Sequence, residues 1–534
     1  MFALLRRLAQ YSRVPGAGIG RGLLRTLLLL ALVAGIYGRA MPGPFVFDDQ
    51  TAIVENESLR SLWPISQLLA QPPDLTTSGR PVVALSFALD YAAAGPDPRV
   101  FRATNFAIHA LCALLLAGIV RRTLVGPRLA DRFAASAELI ALAAALLFAV
   151  HPLASEVVCY ASARTESLVA LFYLATLYGS IRASASERPW VWVAFAIACS
   201  VLGMASKEVM VSAPLVVALH DVVFLGPADA RRRRVRIALW SGLVASWAVL
   251  GFLIAAQPRT ESAGFALWVT PLVYLANQCE VLPAYLRLLF WPVGLRIDYG
   301  LPQPLALGDV WAGAALLVGL LALSLYALRR WPAAGFVGVA CFAILAPSSS
   351  VVPIVSEVGA ERRMYLPLAA LCALAVPLVW LGLARAGRAR LGRLLVGAVA
   401  IALALVSADR AGDHADEIRL WRADVAAAPG NARARYNLAG ALRRAGRESE
   451  AREERAAAVR GEIDFYSRIL PFQPDRARAL GDLAAIHVVA GELARAEQLY
   501  GELLELDPDD ASALRMRARL RAHLGLSGDA GASP

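Results

Sequence analysis

The chain has 534 residues, of which 58% are hydrophobic and only 18% charged, with a mean hydropathy of +0.55. That composition excludes an ordinary soluble domain and predicts an integral membrane protein. The formal net charge of +11 does not point to nucleic acid, because the basic residues stand in short clusters at the ends of apolar blocks and no basic module carries interleaved aromatics.

Apolar blocks of roughly 17 to 25 residues match the helix length that crosses ~30 Å of hydrocarbon. They predict an all-α, polytopic helix bundle of eleven spans, at about 23–41, 104–121, 137–153, 165–183, 190–206, 208–225, 237–256, 306–328, 333–349, 363–384 and 391–408. The basic run Arg6, Arg7, Arg13, Arg21 and Arg25 precedes the first block without a convincing small-residue cleavage site, which reads as an uncleaved first helix. The clusters Arg121-Arg122, Arg182 to Arg188, Arg231 to Arg236, Arg329-Arg330 and Arg385 to Arg393 then share the side of the N-terminus, which the positive-inside rule makes cytoplasmic. The segment 264–290 would break this alternation as a simple span. With Pro271, Asn277, Glu280 and Pro283 it reads as a broken, re-entrant or interfacial segment.

Two loops on the opposite side are substantial, 42–102 and 348–367. From residue 409 the chain turns charged, Ala-rich and helical, which divides it into a membrane domain over 1–408 and a second domain over 409–534. Gly491 and Gly525 lie 34 residues apart, and Leu483, Ala484, Ala496, Tyr500 and Pro508 occupy the apolar, small, small, aromatic and Pro positions of a tetratricopeptide repeat. Gly446 heads an earlier copy offset by an insertion around Phe465 to Pro474, giving two to three repeats of an α-solenoid suited to protein binding. An odd number of spans puts this domain outside the cytoplasm.

Ionisable residues at membrane level are expensive and mark function. On this topology Asp48, Asp49, Arg80, Asp90, Arg102, His151, Glu156, Arg164, Glu166, Lys207, Glu208, Glu357, Glu361, Arg362 and Arg363 all reach one face. The pair Asp48-Asp49 suits general-base work, since each carboxylate raises the proton affinity of the other. The bland alternative is a helix N-cap by Asp49. Lys207 is the single lysine among 53 basic residues, and beside Glu208 it is either a point-charge phosphate ligand with Arg362 or Arg363 as fork partner, or a snorkelling interfacial cation. His151 and Glu156 are too few for a zinc site. A divalent cation is compatible with two adjacent aspartates, but nothing in the sequence indicates one. The six cysteines read as small core residues. Base, phosphate cluster and spans together read as a transferase using a lipid-phosphate donor.

The stretches "FVFDDQTAIVENESLR", "HPLASEVVCYASARTESLVALFYL", "SKEVMVSAPLVVALHD", "YLRLLFWPVGLRIDYG" and "AERRMYLP", followed by tetratricopeptide repeats, resemble in order the TMTC family of O-mannosyltransferases within the GT-C glycosyltransferase superfamily. The resemblance implies a GT-C fold, a polyprenyl-phosphate-linked sugar donor and a Ser or Thr hydroxyl acceptor. It implies catalytic Asp48 and Asp49, donor-phosphate binding by Lys207, Arg362, Arg363 and Arg164, and supporting roles for His151, Glu156, Glu208, Glu361, Tyr365 and Arg80. The repeats are expected to recruit the acceptor protein. The repeat region is shorter than in the animal proteins, and Arg363 replaces a more usual apolar residue. The Arg- and Ala-rich composition suggests a bacterial inner membrane with the repeats in the periplasm. Rival readings are a GT-C enzyme acting on an envelope glycan or lipid, a non-catalytic scaffold, and, more weakly, a transporter.

Overall fold

A computed structural model describes residues 18–73, 75–226, 229–257, 269–350, 352–473 and 475–526. The basic residues Arg6, Arg7 and Arg13, and positions 264–268, lie outside them. The described residues form helices joined by turns and loops, with no strand.

A helix occupies each of the eleven predicted positions. Among the described residues seven are long and apolar enough to cross a membrane: Pro98–Leu124, Ala161–Ala185, Glu208–Leu225, Ala230–Ala256, Leu307–Arg330, Glu361–Arg385 and Ala389–Asp413. Ala137–Val150 and Pro152–Cys159 make an eighth if counted as one span bent by 59°. The bend falls at Pro152, whose ring removes a donor and pushes His151 out of helical geometry. Pro189–Met204 and Pro332–Leu345 are apolar but shorter. The chain is an integral membrane protein. Ala161–Ala185 and Glu208–Leu225 bury 67% and 61% of their apolar windows, so they lie at the bundle centre, whereas Leu307–Arg330 buries 11% and belongs at the lipid-facing rim.

The expectation of a broken segment over 264–290 needs correcting for its described part. Pro271–Phe290 is one continuous helix: Pro271 occupies its first turn, where no donor is needed, and Pro283 lies inside it. Asn277 donates both to its own Val273 carbonyl and to the Gln303 carbonyl, each at 2.7 Å, and so ties this helix to the loop that follows.

The loop after the first helix, Gly18–Tyr37, folds back on the bundle. Arg102, fully buried, donates to the carbonyls of Gly43, Pro44 and Cys159 and fixes where the loop begins. A Cβ on Gly43 would stand 2.0 Å from the His414 carbonyl oxygen, so only glycine lets the two backbones pass.

The helix Ala389–Asp413 runs through position 408 into the C-terminal region, where Glu417–Ala427, Ala432–Arg444, Glu448–Ile469, Arg476–Ala490, Leu493–Leu506 and Ala511–His523 follow. Gly446, Gly491 and Gly525 all take positive φ, as glycines that end helices do. Two small cores divide the region. One gathers Trp421, Ala434, Leu438, Leu442 and Ala451; the other gathers Leu480, Leu483, Leu499, Tyr500 and Leu503. Trp421 is fully buried and touches the acidic loop through Phe47. Trp421→Ala is expected to cost about 3–5 kcal/mol of local stability, seen as faster proteolysis and hydrogen exchange over 417–444 with the membrane helices still protected.

Candidate active site

The stretch Phe45 to Gln50 turns sharply because Phe47 adopts φ +52°, the one non-glycine positive φ among the described residues. Such a conformation costs of order 1–3 kcal/mol and persists where surroundings hold it. The Phe47 ring is held by Trp421 at 5.7 Å, Tyr160 at 6.5 Å and the Arg433 guanidinium at 5.4 Å.

The turn sends the two aspartates into different environments. Asp49 is fully buried, and its Oδ1 accepts from the Ser162 amide at 2.7 Å and the Ser162 hydroxyl at 2.6 Å, while Oδ2 accepts from the Val46 amide at 3.2 Å. Burial pushes its carboxyl up to about 6 against the pull of those donors. Asp48 is half-buried, and its amide donates to the Tyr160 hydroxyl at 3.0 Å. Burial raises its carboxyl above the usual range; Arg362, Tyr160 and Arg433 oppose the shift and Glu357 adds to it. Asp49 is thus anchored at both oxygens, and Asp48 faces the charged cluster.

That cluster is built from three loops. Arg362 donates to Glu156 Oε1 at 2.6 Å and, through its other terminal nitrogen, to both oxygens of Glu357 at 2.7 and 2.8 Å; its amide caps Glu156 Oε2 at 2.9 Å. Lys207 pairs with Glu166, and Arg80 forks onto Glu208 at 2.9 and 3.3 Å. The Nε of Arg80 is buried without a partner. A narrow crevice of about 10 Å³, room for about one water molecule, lies against Glu166, Ser348, Arg362, Arg363 and Tyr365. Arg362 lines this crevice and Lys207 is paired to its wall residue Glu166, so a guanidinium and an ammonium stand near one another, a combination suited to an anionic group.

Other predicted residues hold the walls. Arg164, expected among the phosphate ligands, is instead a buried brace: it pairs with Asp90 at 2.6 Å, donates to Asn105, Ser86 and Phe101, and lies between the Phe87 and Phe101 rings. Its donors are spent inside the protein. Arg363 reaches the cavity wall but spends its donors on the Tyr274 hydroxyl, the Ser348 and Val358 carbonyls and Glu357. Tyr365 bonds His109 at 2.6 Å beneath the cavity. Glu361 accepts from the Arg296 amide at 2.7 Å and the Tyr299 hydroxyl at 3.2 Å. His151 accepts from the Leu153 amide and bonds the Leu289 carbonyl, a pairing that puts its proton on Nε2 and turns it away from Glu156. No group of three or more His, Cys, Asp or Glu among the described residues could hold a metal ion.

Residues that the sequence pattern did not single out complete the site: Tyr160, Asp298, Asp424 and Arg433. Asp298 carries a bidentate ion pair with Arg433, while Asp424 accepts from the Ile297 and Asp298 amides at 2.9 to 3.1 Å. Burial alone would raise the Asp298 carboxyl, yet the Arg433 bonds outweigh it and hold it below the usual range. Nothing in "NARARYNLAG" separates Arg433 from solubilising arginines.

These features define a polytopic helical membrane protein whose charged cavity sits beside an acidic turn. No protein-family model matches the chain, and no solved structure matches it. Curated relatives do. The chain is 28% identical over 467 residues to the mouse protein O-mannosyl-transferase TMTC4, covering 75% of this chain and 62% of the relative. It is 24% identical over 446 residues to the Caenorhabditis elegans protein O-mannosyl-transferase F38B6.6, covering 79% and 60%, and 28% identical over 317 residues to Drosophila melanogaster Tmtc1, covering 53% and 35%. The chain is thus similar to TMTC proteins over most of its own length, and it spans about 60% of the length of the first two relatives.

Arg362→Met should leave Glu156 and Glu357 buried without their cation, at a cost of about 3–5 kcal/mol. A lowered melting temperature in detergent, partly restored by adding Glu357→Gln, is the expected result.

Proposed function

We propose that the chain is a membrane glycosyltransferase that moves a hexose, mannose by the names of its relatives, from a polyprenyl-phosphate donor to Ser or Thr hydroxyls of exported proteins. The observation that carries this reading is the division within the acidic turn: Asp49 is fully bonded, while Asp48 is left facing the Arg362 cluster. Asp48 takes the proton of the acceptor hydroxyl as that oxygen attacks the anomeric carbon. The bond from that carbon to the phosphate oxygen breaks, and the lipid phosphate departs with its negative charge met by Arg362 and Lys207. One displacement inverts the anomeric centre, and no covalent intermediate is needed. Asp49 positions the turn. Arg363, Arg80 and Glu208 shape the phosphate end, with Glu156 and Glu361 holding the late loop.

The same reading takes the full complement of eleven spans, a membrane domain over 1–408 and tetratricopeptide repeats over 409–534. The Arg-capped helix ends then face a bacterial cytoplasm, and the acidic turn and the repeats face the periplasm.

In vesicles supplied with polyprenyl-phosphate mannose and a Ser/Thr peptide, Asp48→Asn should lower kcat about 10²–10⁴-fold. Asp49→Asn should cost less, since its three hydrogen bonds are positional. The rate should rise with pH through the raised Asp48 range, so its acid limb lies above the ordinary carboxylate value of roughly 4. Wild-type transfer by Asp48→Asn would refute the mechanism. The distal helices have a core of their own, so deleting residues 475–534 should leave peptide transfer intact while weakening transfer to folded protein acceptors, measured as kcat/KM for each.

A further inference from the structure

The guanidinium of Arg433 touches three separate loops. Its Nε donates to Asp298 Oδ2 at 2.7 Å and one terminal nitrogen to Asp298 Oδ1; the other donates to the Ser356 carbonyl at 2.8 Å; its carbon lies 5.4 Å from the Phe47 ring. Phe47 immediately precedes Asp48. Ser356 immediately precedes Glu357, which bonds Arg362. Asp298 follows Ile297, whose amide is held by Asp424. Asn431, two residues before Arg433, donates to the Asp298 carbonyl at 3.1 Å and caps the helix Ala432–Arg444 through Ala434. One cation from the C-terminal helices therefore fixes the three segments that carry the acidic turn, the 297–300 loop and the Arg362 partner.

We propose that Arg433 is a positioning residue of the active site, a clamp through which the C-terminal helices hold the Asp48 turn in register with the Arg362 cluster. The inference rests on the glycosyltransferase reading and adds to it that the first C-terminal helices are part of the catalytic structure as well as a recruiting surface. The planar fork is needed because its donors point in different directions at once, to a carboxylate and to a carbonyl, while its face covers an aromatic ring; an ammonium cannot do all three. The charged and titratable groups acting on Asp48 are Arg362, Glu357, Tyr160 and Arg433 itself, so the clamp also favours the ionised base.

The test uses the full chain in vesicles, with polyprenyl-phosphate mannose and a short Ser/Thr peptide that does not depend on the distal helices. Arg433→Lys and Arg433→Met should each lower kcat about 10- to 100-fold, the scale of a small misplacement of a reacting group, with donor KM changed by less than about twofold. The acid limb of kcat should move to higher pH in Arg433→Met, which removes a cation and exposes the Asp298 charge, and stay in place in Arg433→Lys. If Arg433→Met fails to accumulate in membranes, Arg433→Lys decides. Retention of wild-type kcat by Arg433→Lys, or an unmoved acid limb in a folded Arg433→Met, would overturn the proposal while leaving the glycosyltransferase reading standing. An inactive wild-type chain would remove both.

Discussion

Arg362 can lie inside a helical bundle only because Glu156 and Glu357 flank it. Taking a guanidinium out of water costs several kcal/mol even after relaxation, and a carboxylate costs as much; the cost is met only where geometry is good and the remaining donors are used. Three of the segments that matter here end on this group. Glu156 follows the bend at Pro152, Glu357 lies in the loop before Glu361–Arg385, and Arg362 opens that helix. Had the Ala137–Val150 helix run straight on, Glu156 would not meet the Arg362 amide and side chain together.

The other cations follow the same rule. Lys207 has Glu166, Arg80 has Glu208 and Arg363 has Glu357. The cluster is thus internally neutralised, which lets it stand preformed within the fold. On the proposed function, a donor phosphate would exchange one set of charge-assisted bonds for another, so its binding would draw on differences between oxygens and cost little reorganisation. The same proposal implies discrimination, because a neutral sugar offers nothing that could displace a carboxylate from Arg362.

Helix positions were legible because apolar length is written locally, and Gly446 and Gly491 announced helix ends through a conformation few other residues take. Membership of the site was legible as far as residue type allowed: an acidic pair, a solitary lysine and a late Glu-Arg-Arg run stand out against an Arg-rich background. Partner choice was not legible. Arg164 and Arg362 look alike in sequence, yet one is sealed between Phe87 and Phe101 on Asp90 while the other forks onto the cavity cluster. That difference depends on contacts such as Arg362 with Glu156, 206 residues apart, which no local pattern records. Arg433 was hidden for the same reason, inside a helix whose surface arginines outnumber it.

The two aspartates of the acidic turn show why adjacency in sequence need not mean shared chemistry. A strand would send adjacent carboxylates to opposite faces and a helix would set them about 100° apart; here the left-handed residue before them decides where each one goes. With Phe47 at positive φ, Asp49 drops onto the Ser162 amide and hydroxyl, and that anchorage leaves Asp48 on the side of Arg362, Glu357 and Arg433. The strain is borne by a ring packed on Trp421 and covered by Arg433, both from helices beyond the membrane bundle. The orientation of the proposed base is therefore set at a distance, by groups that contribute nothing to its reactivity except where it points and what charge it meets.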